Sequence, residues 1–158
     1  MNILITGGAG FIGSHLAEHF NRRARVRVLD NFRTGRRENL AGLDVELVAG
    51  SVLDAELLQS AMRGIDCVFH LAAFVSVAES VERPGECDEI NVTGFRRVLE
   101  AAAAAGVRRV VFSSSAAVYG DNPEVPKRED MAPDPRSPYA ASKLAGERLC
   151  QEIAQAGR

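Results

Sequence analysis

The chain has 158 residues, of which 46% are apolar and 25% charged, a composition that suits one domain with a buried core. Its 19 basic and 21 acidic side chains leave a formal net charge of -2, which removes any electrostatic argument for nucleic acid or an anionic membrane as a partner. No segment of the sequence approaches the length of an apolar membrane span.

Short apolar runs alternate with stretches of helical periodicity along the chain. Strands are predicted at residues 2–6, 25–29, 45–49, 67–71 and 109–113, and helices at residues 11–22, 54–62, 86–105 and from 137 or 138 to about 154. Residues 31–41 are expected to form a polar loop with a weak helical stretch, and residues 121–138 a proline-rich surface loop. This order predicts an α/β fold: a doubly wound parallel sheet of the Rossmann type, with about five strands and helices on both faces.

The first predicted strand runs into a glycine-rich turn, TGGAGFIG at residues 6–13. Gly7 permits the tight turn, Gly10 lets the backbone approach a pyrophosphate, and Gly13 lets the following helix pack closely on the strand. The amino end of that helix offers free N–H groups and the positive end of its dipole to phosphates. The pattern therefore predicts a dinucleotide site, with a purely structural turn as the less favoured alternative.

An acidic residue, Asp30, ends the second predicted strand 23 residues after Gly7. A carboxylate there accepts hydrogen bonds from the adenosine ribose and repels a 2′-phosphate, so it favours NAD over NADP. Arg33, Arg36 and Arg37 follow closely and oppose this preference, but NAD remains the expected cofactor. These arginines, like those in residues 22–27, are otherwise typical of a solvated surface.

Near the end of the chain, the sequence YAASK places Tyr139 and Lys143 one helical turn apart on the same helix face. A nearby ammonium favours the deprotonated phenol, so Tyr139 is a candidate general acid and base, and Lys143 a candidate contact of the nicotinamide ribose. Such pairs are common on helix surfaces, but three serines, residues 113–115, directly follow the fifth predicted strand, where ligands of doubly wound sheets bind. Ser115 is expected to donate a hydrogen bond to the reacting oxygen. His70 is interpreted as a buried strand end rather than as an acid or base.

The three cysteines, Cys67, Cys87 and Cys150, have no paired spacing. They fit neither a disulfide framework nor a zinc site, and we expect reduced thiols in a cytoplasmic protein.

These motifs together resemble the extended short-chain dehydrogenase/reductase family, and within it the NAD-dependent sugar epimerases and dehydratases. The segments that carry the resemblance are TGGAGFIGSHL, LDN, HLAA, NVTG, FSSSAAVYG and SPYAASKLAGE, which occur in the family's order and span essentially the whole chain. The resemblance implies that Ser115, Tyr139 and Lys143 form the catalytic triad, with no metal. The residues that it assigns to NAD are Gly7, Gly10, Phe11, Ile12, Gly13, Asp30, Asn31, Ser51, Val52, Leu71, Ala72, Ala73, Tyr139 and Lys143. Relatives often carry Gly-Asp where this chain has Gly50-Ser51, so we expect a weaker or backbone-mediated adenine contact, with Val52 facing the adenine.

The reaction type is narrowed by the two residues that follow the triad serine. Sugar dehydratases of the family have acidic residues there and nucleotide-sugar decarboxylases a glutamate, whereas this chain has Ala116 and Ala117. The segment KREDMAPDPRSPYAASKLAGE is most similar to 4-epimerases of UDP-glucose or UDP-N-acetylglucosamine, which implies transient oxidation at sugar C4 and a UDP-sugar substrate. The oligomeric state stays open, with a homodimer as one assembly, because the helices around Ala101 and Tyr139 pair across dimers in relatives. Two alternatives stay open: a dinucleotide-binding module without turnover, and another NAD-dependent nucleotide-sugar dehydratase or reductase.

Members of this family are substantially longer than 158 residues. The resemblance therefore implies that residues 1–158 form an incomplete NAD(P)-binding Rossmann domain, without the last strands of the sheet and without the C-terminal region that grips the nucleotide-sugar. The fifth predicted strand is then expected to be an apolar sheet edge.

Overall fold

The computed structural model describes residues 1–155, which fall into two compact units. The first, here called the sheet unit, comprises Met1–Ala72 and Gly94–Ser113. The second, the helical unit, comprises Ala73–Thr93 and Ser114–Arg158, the latter described as far as Gln155.

The sheet unit is built on five parallel strands with the order β3-β2-β1-β4-β5. Their bounds are β1 Asn2–Thr6, β2 Arg25–Asp30, β3 Val45–Ala49, β4 Cys67–His70 and β5 Arg109–Phe112. In register, Ile3 of β1 lies between Val26 of β2 and Cys67 of β4. The first strand is central, the next two extend the sheet on one side and the last two on the other, which confirms the predicted doubly wound topology.

Buried apolar side chains on the central strands explain why this sheet forms. Ile3, Leu4 and Ile5 are completely buried, as is Val28 on the neighbouring strand. A strand covered on both faces needs such a continuous apolar run, because helices pack on each side of a parallel sheet.

Six α-helices occur among the described residues. They are α1 Phe11–Phe20, α2 Ala55–Ala61, α3 Val77–Glu82, α4 Pro84–Asp88, α5 Gly94–Ala104 and α6 Pro138–Gln155. Asp54 caps α2, and its carboxylate accepts a hydrogen bond from the N–H of Leu57 at 3.0 Å. None of the helices described here combines the length and hydropathy that crossing a bilayer requires.

The prediction of one helix over residues 86–105 is wrong. The chain instead forms α4, a π-helical segment at Glu89–Thr93, and then α5, and it adds α3, which was not predicted. Pro84 begins α4 because its ring suits the first turn of a helix and it has no N–H to lose. The π-helical turn coincides with buried Asn91, whose amide bonds to groups outside its own helix.

Other differences lie at the ends of elements. Helix α1 ends two residues earlier than predicted, because Asn21 leaves the helical conformation and Arg22 adopts a left-handed φ of 65°. Strands β4 and β5 each end one residue early. The weak helical stretch is a 3-10 turn at Arg37–Leu40, and a second one at Ala116–Tyr119 was not predicted.

Candidate functional site

The glycine turn joins β1 to α1 within the sheet unit, and its backbone is closely packed. Gly7 has a φ of 70°, and a Cβ on it would lie 2.6 Å from the backbone nitrogen of Ala72. A Cβ on Gly13 would lie 2.6 Å from the Cα of Gly8. Both positions therefore require glycine for the fold itself.

Gly10 differs from these two glycines because a Cβ there has space. Its nearest neighbour would be the carbonyl oxygen of Gly7 at 3.3 Å, and its φ of -75° is open to any residue. Gly10 is the N-cap of α1 and no side chain caps the helix. The first N–H groups of α1 thus lack an intrahelical partner and a capping side chain, which is the arrangement that anions bind.

Two large apolar side chains stand beside these N–H groups. Phe11 is 79% exposed and Ile12 is 59% exposed, although both begin a helix whose next residue, Gly13, is buried. A ligand that places an anionic group at these N–H groups could therefore also contact the exposed apolar side chains of Phe11 and Ile12.

Asp30 at the end of β2 is buried, and both of its carboxylate oxygens accept backbone hydrogen bonds. Ala9 of the glycine turn donates to one at 2.9 Å, and Phe32 donates to the other at 2.7 Å. Each carboxylate oxygen keeps a further lone pair, so Asp30 retains capacity for a ligand hydroxyl. The residue holds the turn in place as well as offering an acceptor.

The remaining residues assigned to NAD in the sheet unit are placed as follows. Ser51 accepts a hydrogen bond from the N–H of Leu53 at 3.1 Å, and Val52 is buried. Ala72 donates its N–H to the hydroxyl of Thr6 at 3.3 Å, and Leu71 donates to the carbonyl of Thr6. Asn31 is exposed and accepts a hydrogen bond from the N–H of Arg33 at 3.1 Å.

This set of groups fits a dinucleotide. The uncapped end of α1 suits a pyrophosphate, and the hydrogen in place of a side chain at Gly10 leaves room for it to approach. Asp30 at the neighbouring strand end has remaining acceptor capacity that suits a ribose hydroxyl.

The helical unit contains the predicted triad residues Ser115, Tyr139 and Lys143. Helix α6 begins where the sequence predicts, because Pro138 takes its first position and the hydroxyl of Ser137 accepts from the N–H of Ala140 at 3.1 Å. Tyr139 and Lys143 share one face of this helix, and the Nζ atom lies 5.9 Å from the centre of the phenol ring. The predicted placement of Tyr139 and Lys143 one helical turn apart is therefore confirmed.

Lys143 is unusual for a lysine because only 5% of it is exposed. Burial disfavours the ammonium and lowers the pKa of Lys143 from 10.5 to about 8, against a smaller opposing effect of the nearby Cys87 thiol. At neutral pH the side chain therefore remains mostly charged, yet it releases its proton more easily than a surface lysine.

Ser115 follows the sheet unit at the start of the 3-10 turn of the helical unit. It is half-buried, and its hydroxyl oxygen accepts a hydrogen bond from the N–H of Ala117 at 3.2 Å. Its neighbour Ser114 donates instead to the carboxylate of Glu147 on α6. Ala73, the last residue assigned to NAD, begins the helical unit and is half-buried.

A buried amide that sequence reasoning did not assign to the site supports the helix bearing Lys143. Asn91 accepts from the N–H of Phe74 at 2.7 Å and donates to the carbonyl of Phe74 at 3.0 Å. It also donates to the hydroxyl of Ser142 at 2.8 Å, next to Lys143. The signal was present in the sequence, because Asn91 lies four residues before Phe95 on an otherwise apolar helix stripe.

His70 lies at the end of β4 and is 2% exposed, which confirms it as a buried strand end. Its Nδ1 is 2.8 Å from the hydroxyl of Thr6, and its ring stacks on Phe95 with centroids 4.6 Å apart. The three cysteines are free thiols, and among residues 1–155 no group of three or more His, Cys, Asp or Glu side chains is arranged to hold a metal ion.

Comparison with known proteins agrees with this geometry. Residues 3–158 match the NAD dependent epimerase/dehydratase family. The chain belongs to this family. The match covers both the sheet unit and the helical unit, so the glycine turn and the Tyr139–Lys143 pair are parts of one epimerase/dehydratase-family chain.

Individual members of the epimerase/dehydratase family are similar over nearly the whole chain. A UDP-glucose 4-epimerase of Mycolicibacterium smegmatis is 44% identical over 155 residues, covering 93% of this chain and 49% of the relative. The Thermus thermophilus UDP-glucose 4-epimerase, solved as a complex with NAD, is 42% identical with a TM-score of 0.92, covering 99% of this chain and 51% of that one. A UDP-N-acetylglucosamine 4-epimerase from Methanobrevibacter ruminantium, solved with UDP-N-acetylmuramic acid, is 35% identical with a TM-score of 0.93, covering 98% of this chain and 50% of that one. This chain therefore spans about half the length of the family members that it matches.

Proposed function

We propose that this chain binds NAD and supplies the acid–base group of a UDP-sugar 4-epimerase. The observation that carries the proposal is the pairing of Tyr139 with a buried lysine one helical turn away, in a chain whose first turn fits a dinucleotide. The similar epimerases that were solved with NAD or with a UDP-sugar support the choice of ligands. Gly7, Gly10, Gly13 and Asp30 are proposed to hold the dinucleotide, with Phe11, Ile12, Asn31, Ser51, Val52, Leu71, Ala72 and Ala73 as further contacts.

The chemistry proposed for the chain's own residues begins with proton transfer. The phenolate oxygen of Tyr139 accepts the proton of the sugar C4 hydroxyl, and the Lys143 ammonium stabilises that phenolate. Ser115 donates a hydrogen bond to the same sugar oxygen. When bound, NAD supplies a reversible hydride acceptor. After the sugar presents its other face, Tyr139 returns the proton to the C4 oxygen.

Epimerisation is favoured over loss of water by the residues that follow Ser115. Elimination needs a second acid or base near the reacting carbons, and Ala116 and Ala117 offer neither. Relatives with 40–44% identity include UDP-glucose 4-epimerases from several bacteria, which supports the same choice.

The test measures conversion of UDP-glucose to UDP-galactose in the presence of NAD by the chain continued to the relatives' length, with Tyr139→Phe as the matched variant. The phenylalanine keeps the ring and removes only the hydroxyl, so NAD affinity should stay within about threefold while the rate of conversion falls by at least ~10²-fold, the usual effect of removing a general base. Release of water-loss products instead of UDP-galactose would assign the chain to the dehydratases. If that longer chain binds NAD but converts no UDP-glucose, the chain is a dinucleotide-binding module without turnover.

Two further features belong to the same proposal. We infer that the protein is a homodimer, as the family resemblance implies, and sedimentation of the purified chain tests this. We also place the protein in the cytoplasm, because three free thiols are most compatible with a reducing compartment. Fractionation of the source cells tests that placement.

A further inference from the structure

A concentration of positive charge in the sheet unit lies at the end of the sheet opposite the glycine turn. A cleft of about 770 Å³ opens at the amino ends of β1 and β2, and five arginines line it: Arg22, Arg23, Arg25, Arg27 and Arg63. Two carboxylates, Asp44 and Glu46, also line it, which leaves an excess of three positive charges. This region is called the arginine cleft below. The concentration is notable because the chain as a whole carries a formal charge of -2.

One arginine of the cleft is fixed and organises the wall. The guanidinium of Arg27 donates to the carbonyls of Ala61 at 2.7 Å and Arg63 at 3.1 Å, and it pairs with Glu46 at 2.8 Å. The bond to Arg63 holds the backbone that carries the next arginine. Arg27 is therefore a structural member of the cleft, and Glu46 is already neutralised.

Three arginines of the cleft keep their guanidinium groups available. Among residues 1–155, Arg22, Arg25 and Arg63 form neither a hydrogen bond nor an ion pair through their side chains, and all three are exposed. Arg22 also holds a left-handed φ of 65°, a conformation that ordinarily favours glycine. Like charges along the wall of one cleft repel one another, and a bound anion would neutralise them.

The size and the charge pattern of the cleft indicate its ligand. A volume of about 770 Å³ matches a small-molecule site rather than the extended basic stripe that binds nucleic acid. Guanidinium groups recognise phosphate oxygens with paired hydrogen bonds. The carboxylate of Asp44, which has no ion pair among the described residues, offers acceptors for hydroxyl groups in the same cleft. Phosphates together with hydroxyl donors describe a nucleotide.

We propose that the arginine cleft binds a nucleoside di- or triphosphate, with Arg22, Arg25 and Arg63 on the phosphates and Asp44 on the ribose hydroxyls. The site lies at the amino ends of the strands, whereas the glycine turn and Asp30 lie at their carboxyl ends. It therefore differs from the proposed NAD site and goes beyond the proposed function.

The experiment is a calorimetric titration of ATP, without magnesium, into the full chain saturated with NAD. We expect one ATP per chain and at least tenfold weaker binding by a variant with Arg25→Gln and Arg63→Gln. The control variant carries Arg96→Gln and Arg148→Gln, which remove the same charge from exposed positions outside the cleft and should leave ATP affinity within twofold.

Inorganic triphosphate is the second probe and should bind at least fivefold more weakly than ATP. Asp44→Asn should reduce this difference in affinity. The proposal is overturned if ATP does not bind, if both double variants lose affinity equally, if triphosphate binds as tightly as ATP, or if NAD displaces ATP. A duplex DNA that competes with ATP at equal phosphate concentration would also overturn it. Because NAD affinity is measured separately, failure here is distinguishable from failure of the proposed function.

Discussion

Single residues of the glycine turn have different structural requirements, although all are glycines. Gly10→Val should abolish NAD binding and leave the chain folded, because its Cβ meets only one oxygen at 3.3 Å and its methyl groups occupy the space proposed for the pyrophosphate. Gly13→Ala is the contrasting variant: its Cβ meets backbone at 2.6 Å, and we expect a loss of about 3 kcal/mol in unfolding free energy, the upper end of overpacking costs. Urea unfolding and NAD titration on the same samples separate the two effects. Unchanged NAD affinity in Gly10→Val would show that the glycines serve only the turn.

Asp30 determines the choice between NAD and NADP in this proposal. We expect the chain to bind NAD at least tenfold more tightly than NADP, and Asp30→Ala to weaken NAD more than NADP, because the substitution removes the ribose acceptor and the repulsion of a 2′-phosphate together. The substitution also removes the hydrogen bonds from Ala9 and Phe32 and should lower the stability of the fold. Thermal unfolding of the native chain and of the variant must therefore accompany the titrations. Equal or tighter binding of NADP by the native chain would show that Arg33, Arg36 and Arg37 dominate.

Lys143 predicts a stability that depends on pH. Its pKa is about 8 in the folded chain and 10.5 when unfolded, so between these values the unfolded state binds more protons and stability rises with pH. Lys143→Met removes the buried charge and should stabilise the chain without cofactor by ~3 kcal/mol at pH 7 and by only ~1 kcal/mol at pH 10. Burial raises the pKa of the Cys87 thiol, which acts in the opposite direction in both proteins, and the smaller opposing effect of Lys143 on that thiol is lost in the variant. Urea titrations of both proteins across this range provide the measurement, and a constant difference would contradict the prediction.

At the scale of elements, Asn91 links the π-helical segment to α6 within the helical unit. Asn91→Ala leaves the N–H and carbonyl of Phe74 and the hydroxyl of Ser142 without their amide partner, and should cost about 3 kcal/mol, roughly 1 kcal/mol for each buried hydrogen bond. Asn31→Ala, at an exposed position, should change stability by less than ~0.5 kcal/mol, as is usual on surfaces. Equal urea midpoints for the two variants would show that this network adds nothing to the fold.

The same segment shows what the sequence can and cannot predict about elements. Strands β1 and β3 and the start of α6 were predicted correctly because apolar runs, caps and prolines are local signals. The interruption between α4 and α5 depends on Asn91 reaching Phe74, seventeen residues away, and on Ser142, fifty-one residues away. No local pattern contains these contacts, so helical periodicity alone predicted one continuous helix.

Some candidate site residues could likewise be predicted from local sequence signals, whereas others depend on tertiary packing. The glycine turn is a local motif, and the roles of Gly7 and Gly13 follow from φ and close packing that the motif already implies. The burial of Lys143 and the double use of the Asp30 carboxylate depend on tertiary packing and were not predictable from spacing. The i, i+4 relation of Tyr139 and Lys143 needed only the prediction of a helix.

At the scale of the whole molecule, the chain spans about half of the epimerases that it matches, which bears on turnover. We expect NAD binding but little conversion of UDP-glucose by the 158-residue chain alone. The family resemblance assigns binding of the nucleotide to a region beyond this length. Positioning of the substrate can supply roughly 7–11 kcal/mol of barrier reduction, which the shorter chain would lose. A fusion that continues the chain with the second half of the Thermus thermophilus enzyme should restore conversion, since that relative is 42% identical over the shared part.

The fusion carrying Tyr139→Phe is the matched control and should bind NAD without converting UDP-glucose. The assay follows UDP-galactose formation and is repeated with the N-acetylated pair of sugars, because the similar structures include 4-epimerases of both kinds. Rapid conversion by the 158-residue chain itself would show that the region beyond it is dispensable for positioning the sugar. A fusion that folds, binds NAD and UDP-glucose and still converts nothing would show instead that Ser115, Tyr139 and Lys143 do not form a working site in this chain.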